Sequence, residues 1–280
     1  MKISFFFAAF LAPLCVLGHG ELDARIRSIT TEIARSSNTA SLYVQRGELH
    51  REHRDWTAAL ADFQHAAALD GSLVRIDFFR ARVLNESGDT SNSRALLNAY
   101  LSVNTNDCDA FVLSAKMFAL SNLTMSAVDH YSRAIAASRE PDPELFLERA
   151  SLLASQDKMN AALQGLDEGV EKTGGALTLH LRALELELAL TNHVRALSRL
   201  EKIIAASPRK ESWLVRRGDV FLQTGQNSEA REAFDAAAKA IAALPLRLQT
   251  SDPMKTLSED IRRKLAELQA STPVKPAPAR

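Results

Sequence analysis

The sequence predicts an all-α fold: an α-solenoid of about six helix hairpins with a capping helix at each end. Three observations predict it. Small residues at 47, 81, 115, 150, 183 and 218 recur at intervals of 34, 34, 35, 33 and 35. A second ladder, Ala59, Ser93, Ala127, Ala162, Ala196 and Ala230, runs at 34, 34, 35, 34 and 34, and four residues after each stands Phe63, Leu97, Tyr131, Leu166, Leu200 or Phe234. Each period holds two amphipathic helical patterns divided by a polar turn such as "SGD" or "TGQ". A repeat of this length marks units that each need a neighbour to bury their apolar faces.

Taken in order, residues 1–20, "MKISFFFAAFLAPLCVLGHG", read as a secretory signal peptide. Lys2 gives a weakly basic start, and Ile3 to Leu17 form an apolar run of 15 residues, short for a membrane span. Cleavage is expected after Gly18 or Gly20, leaving an exported chain, periplasmic or secreted, with no stable membrane insertion. Residues 21–39 form the N-terminal cap: Leu22, Ile26, Ile29 and Ile33 share one helical face, and Ile29 precedes Phe63 by 34 residues. It reads as a lone second helix covering the first repeat.

Six repeats then occupy residues 40–244, at about 40–73, 74–107, 108–142, 143–176, 177–210 and 211–244. Small residues in each first helix let two backbones approach, and the large residue of the second helix fills the space between them. Gly71, Pro141, Gly174 and Pro208 punctuate the ends of second helices. The fifth repeat is looser, its turn near Thr191 reading one residue out of register. Residues 245–270 form the C-terminal cap, with Asp252 at the N-cap, Pro253 at the first helical position, and Leu257, Ile261, Leu265 and Leu268 as its stripe. The closing "STPVKPAPAR", 271–280, has too little apolar content to pack and reads as a disordered tail.

Composition narrows the function classes. The whole chain carries 34 Lys and Arg against 34 Asp and Glu; removing residues 1–20 takes only Lys2, leaving 33 against 34. That balance argues against nucleic acid as a partner, since phosphates call for a basic excess. Cys108 is the one cysteine beyond residue 20, so no internal disulfide framework is expected.

Residues 42–71, "LYVQRGELHREHRDWTAALADFQHAAALDG", and 214–240, "LVRRGDVFLQTGQNSEAREAFDAAAKA", resemble the tetratricopeptide repeat in their small, small, aromatic pattern. The resemblance covers residues 40–244 and implies a non-catalytic scaffold that holds a protein or peptide in a concave groove lined by first helices. Carried over position by position, the groove candidates are Val44, Glu48, Arg51, Arg75, Phe78, Arg82 and Asn85, then Val112, Lys116, Leu147, Ser151, Val215 and Asp219. The carboxylate clamp of chaperone-binding members needs Lys and Asn four apart; Val44 with Glu48 and Phe78 with Arg82 stand there instead, so that mode is not expected. Of Phe78 and Phe79, either both are buried, or one packs in the core and the other is open to the groove, where an aromatic flanked by Arg75 and Arg82 suits an acidic extended peptide. The alternative is a structural or assembly factor acting through self-association.

Candidate chemistry is sparse. His50 and His53 lie three apart beside Glu48 and Glu52, a spacing that could place two imidazoles on one cation. The repeat frame separates them: His50 aligns with Leu84, Phe118, Leu153, Leu186 and Phe221, all apolar, and His53 falls at the turn. His65, His130, His180 and His193 are scattered, with His65 and His130 expected to tolerate solvent. No nucleophile elbow, phosphate-cradling loop or zinc-protease helix occurs, so no catalytic residue, metal or cofactor is assigned. The recurrent Arg46, Arg80, Arg149, Arg182 and Arg217 read as structural, laying methylenes over each hairpin and pairing with an acidic neighbour, as Arg217 with Asp219.

Overall fold

The computed structural model describes residues 16–270. The leader expected over 1–20, apart from its last residues, and the tail 271–280 lie outside them. Every regular element among the described residues is a helix. After α1 (Val16–Arg35), hairpins follow as α2 (Ala40–Glu52) with α3 (Trp56–Leu69), α4 (Ile76–Glu86) with α5 (Thr90–Val103), and α6 (Cys108–Leu120) with α7 (Thr124–Ala137). Three more are α8 (Pro143–Ala154) with α9 (Met159–Lys172), α10 (Leu177–Ala189) with α11 (His193–Ala206), and α12 (Glu211–Gln223) with α13 (Asn227–Ala242). Then come α14 (Leu246–Gln249) and α15 (Asp252–Ala270). The hairpins fall into two compact units, one ending at Arg139 and one beginning at Glu140.

Each hairpin turns through one residue in the left-handed region: Arg54, Gly88, Asn122, Asp157, Thr191 and Gly225. They are spaced 34, 34, 35, 34 and 34 apart, so the fifth turn is in register, and the irregularity expected near Thr191 belongs instead to the helix before it. In five turns the amide after the left-handed residue donates to a carbonyl five residues back, as Asp55 to His50 at 2.8 Å and Asn192 to Glu187 at 2.8 Å. This is the helix-ending pattern that satisfies otherwise orphaned carbonyls. Asp55, Asp89 and Asn192 then cap the second helices, accepting from the amides of Ala58, Asn92 and Arg195.

This register places Glu187, not Leu186, in the position of His50, Leu84, Phe118, Leu153 and Phe221. It likewise puts Leu184 where the other hairpins have Gly47, Ala81, Ala115, Ala150 and Gly218.

Packing follows the two ladders. In unit 1, Phe63 is fully buried with Tyr43, Ala59, Ile76 and Val83, and Ile33 of α1 joins the same cluster. The N-terminal helix therefore covers the first hairpin. In unit 2, Phe234 is buried with Leu214, Val215, Ala230 and Ala237, while Ile261 and Leu268 of α15 close that core.

Candidate functional site

The first helices of unit 1 carry most of the expected groove residues, and their charges are knitted together across repeats. Arg82 of α4 bonds to Glu48 of α2, the residue 34 before it. Arg51 of α2 holds Glu86 of α4 at 3.0 Å and Glu48 at 3.3 Å. Arg75, preceding α4, holds Asp107 at 3.0 Å and Asp109 at 2.7 Å. The Tyr100 hydroxyl donates to Asp107 at 2.6 Å, and burial together with that carboxylate pushes its phenol up to about 12.

Of the two arrangements open for Phe78 and Phe79, the structure has the one in which both rings are covered. Phe78 is 3% exposed, covered by Arg75 at 4.9 Å and Arg82 at 5.5 Å over its ring. Phe79 stacks on Phe63 at 5.5 Å and packs against the core cluster. Neither ring lies open, because two guanidiniums and the core take both faces. With Arg51, Arg75 and Arg82 all engaged by carboxylates, the face is mixed in charge and not a basic aromatic slot. Val44, Val112 and Asn85 are half-buried, and Lys116, exposed, has no ion pair among the described residues.

In unit 2, Leu147 is half-buried and Ser151 exposed, while Val215 is 5% exposed and belongs to the core. Asp219 is taken by Lys264 of α15 at 2.6 Å. Burial works against the Lys264 charge, but Asp219 and Asp260 outweigh it and hold the ammonium above its ordinary range. The C-terminal helix thus supplies Asp219 with a cation as α4 supplies Arg82 to Glu48, and Val215, buried, does not line a groove. Arg217 does not pair with Asp219, since residues two apart on a helix face different ways.

The other arginines of the ladder do find partners. Arg46 makes a bidentate pair with Asp62 at 2.8 and 2.7 Å, and Arg149, buried, reaches Glu168 at 2.6 Å. His50 sits 3.9 Å from Asp62, whereas His53 faces Asp23 of α1 at 3.4 Å. The two imidazoles therefore serve different contacts, and among the described residues no His, Cys, Asp and Glu group suits a metal ion. His130 packs edge-on to Phe118 at 4.9 Å and Phe111 at 5.7 Å, contrary to the solvent-facing role expected.

Sequence reasoning missed one polar cluster. Glu187, fully buried, accepts from Arg199 at 2.8 and 2.7 Å. Arg199 also reaches Asp167 of α9 at 2.7 Å and His180 at 3.4 Å, and Arg195 reaches Asp167 at 2.6 Å. The signal that could have found it is the turn register, which puts Glu187 in a slot otherwise mostly apolar.

A tetratricopeptide repeat family model matches residues 44–108 and 181–245. The C-terminal part of a TPR repeat-containing protein from Cytophaga hutchinsonii is 14% identical, with a TM-score of 0.54 over 91% of this chain and 93% of that one. A tetratricopeptide repeat protein from Parabacteroides merdae is 16% identical, with a TM-score of 0.46 over 90% and 94%. PilF of Pseudomonas aeruginosa is 12% identical, with a TM-score of 0.48 over 85% and 100%. No curated protein matches the sequence. The likeness to the Cytophaga hutchinsonii structure, at 14% identity, shows the fold alone, and the family match shows the repeat over residues 44–108 and 181–245: the chain carries tetratricopeptide repeats and has an all-α, solenoid-type fold of helix hairpins.

Proposed function

We propose that the chain is a non-catalytic scaffold, exported from the cytoplasm, that binds a protein or peptide on the first-helix face of its repeats. The observation that carries this is the row Glu48, Arg82, Lys116, one residue per first helix at a spacing of 34. Glu48 and Arg82 are held in place by each other and by Arg51, so their side chains lose little freedom when a partner arrives. Lys116, the exposed end of that row, is the anchor offered to a partner, with half-buried Val112 one turn before it on α6. Because the nearby arginines already hold carboxylates, the partner is expected to be mixed in charge and not strongly acidic.

Replacing Lys116 with a photocrosslinking residue in the native host tests this, with Lys239, an exposed position on α13, as the control. The expected result is a discrete adduct from position 116 and none from 239. Equal or absent labelling from both would sink the assignment to this face. Export rests on the apolar run Ile3 to Leu17, and N-terminal sequencing of the protein from its own host checks it: a chain beginning at Met1 would overturn the leader.

Self-association is the second reading, favoured by the turn between α6 and α7. Leu120 is 82% exposed, with Leu123 and Met125 at 47%, where other hairpins place residues such as Glu52 and Asp55. Light scattering at high concentration separates the readings. A dimer abolished by Leu120→Glu supports this one, and a monomer removes it.

A further inference from the structure

The positions of Glu187 and Arg199, twelve residues apart, alternate in character along the chain. The first, third and fifth hairpins place polar or charged groups there: His50 lies 3.9 Å from Asp62, the rings of Phe118 and His130 are 4.9 Å apart, and Glu187 holds Arg199 at 2.7 Å. The second, fourth and sixth hold Leu84 with Leu96, Leu153 with Gly165, and Phe221 with Ala233. Only the fifth slot joins two full charges. In that hairpin Leu184 also replaces the glycine or alanine that lets the other first helices approach closely. The Glu187–Arg199 pair therefore takes over part of the role that close packing has in the other hairpins.

His180, two turns before Glu187 on α10 and 7% exposed, stands against this pair, its Nδ1 3.4 Å from Nη1 of Arg199. A guanidinium only donates, so the neutral ring receives that contact on Nδ1. The groups facing the ring are Asp167 and Glu171 from α9, Glu187 from α10, and Arg195, Arg199 and Lys202 from α11. Helix α8, also packed on α10, adds none to this wall. Three carboxylates thus meet three cations. Asp167 and Glu187 are held by Arg195 and Arg199, and Glu171 is exposed, so a proton added to the ring meets no uncommitted buried acid.

We propose that His180 is an acid-operated catch on the fifth hairpin. A proton taken up on Nδ1 turns the acceptor of the Arg199 contact into a donor and sets N–H against N–H at 3.4 Å. The guanidinium must then move off, which loosens its hold on Glu187 and frees α10 from α11, while hairpins with apolar slots stay closed. Burial is the first influence against that proton, and the Arg199 and Lys202 charges act before the opposing pull of Asp167 and Glu187. The catch is therefore shut at neutral pH and opens as pH falls through the His180 titration. Local opening is the expected response of a solenoid, whose hairpins contact only their neighbours. The catch does not depend on the first-helix face of unit 1 that is assigned to the partner.

The test is amide hydrogen exchange of the full chain, read by mass spectrometry at about pH 7 and about pH 5.5, with labelling times scaled to the intrinsic amide rate at each. Amides of α10 and α11 should lose protection several-fold at the lower pH, and those of α4 and α5 should keep theirs. His180→Gln offers Arg199 an amide oxygen but takes up no proton, so it should abolish the loss, whereas His130→Phe should leave it in place. In the unaltered chain the His180 ring resonances should titrate at the pH where α10 and α11 open. Equal loss in all hairpins, the same loss in His180→Gln, or a ring titration displaced from the opening overturns the proposal.

Discussion

The ring of Phe234 lies so close to the backbone at Gly218 that a Cβ there would stand 2.5 Å from ring atom Cε1, and Gly47 stands in the same relation to Phe63 at 2.8 Å. Hairpins with Ala in the small position have Leu or Tyr opposite: Ala81 with Leu97, Ala115 with Tyr131, Ala150 with Leu166. Gly218→Ala gains about 1 kcal/mol of helix propensity. Forcing the ring aside costs about 1–3 kcal/mol, so net destabilisation is expected. A lower urea midpoint for Gly218→Ala, partly recovered by adding Phe234→Leu, is the expected pattern; an unchanged midpoint in the single variant would show that the contact is not tight.

Thr191 turns its hairpin at φ +54, a conformation that crowds a β-branched side chain. The left-handed region costs a non-glycine residue about 1–2 kcal/mol, and glycine returns part of that gain as chain entropy, about 0.5–1 kcal/mol. Thr191→Gly should therefore stabilise unit 2 by about 0.5–1 kcal/mol. Thermal denaturation reads it, and Gly225→Thr, at the sixth turn, should show the reverse.

How far this fold is legible in the sequence depends on which feature anchors the alignment. Gly47 with Phe63 and Ala150 with Leu166 announce themselves, because close packing admits few residue types. The fifth hairpin misleads: Arg182-Ala183 mimics the arginine-small signature one residue early, which hides Glu187 behind Leu186. Backbone conformation decides it, through Thr191 in the left-handed region and the bond from the Asn192 amide to the Glu187 carbonyl. On the first-helix face, Glu48 and Arg82 are opposite charges one period apart, a readable hint of their pairing. Burial of Phe78 was not readable, since it depends on where Arg75 and Arg82 swing.

The Glu187–Arg199 pair makes a prediction of its own. Removing one partner of a buried ion pair strands the other charge, at a cost of about 3–5 kcal/mol. Arg199→Met should thus destabilise unit 2 strongly, with Glu187 fully buried and only the more exposed Arg195 near it. Glu187→Leu together with Arg199→Met should recover most of the loss, because Leu fills the Glu187 position in two other hairpins. Denaturant midpoints of the single and double variants check this. A double variant no more stable than Arg199→Met would mean that the loss does not come from a stranded charge.

Acid should weaken the fold earlier than its carboxylates alone predict. Burial pulls the imidazoles of His130 and His180 below the ordinary value of 6.5, helped by Arg133 in the first case and by Arg199 in the second. A folded-state pKa below the unfolded one means that the unfolded chain takes up protons first. The stability linked to neutral histidine is therefore complete above about pH 6.5 and is lost as pH falls through the folded values. Glu168 adds a later step of the same sign: burial opposes its ionisation, but Arg149 and Lys172 outweigh that and hold its pKa below 4.5. Urea midpoints should decline between about pH 7 and 5.5, before that step begins. His130→Phe should flatten part of the decline while keeping the neutral-pH midpoint, since Nδ1 of His130 is buried without a hydrogen-bond partner among the described residues and a phenyl ring suits Phe111 and Phe118. An unchanged pH profile in His130→Phe would remove this residue from the account and leave His180 to carry it.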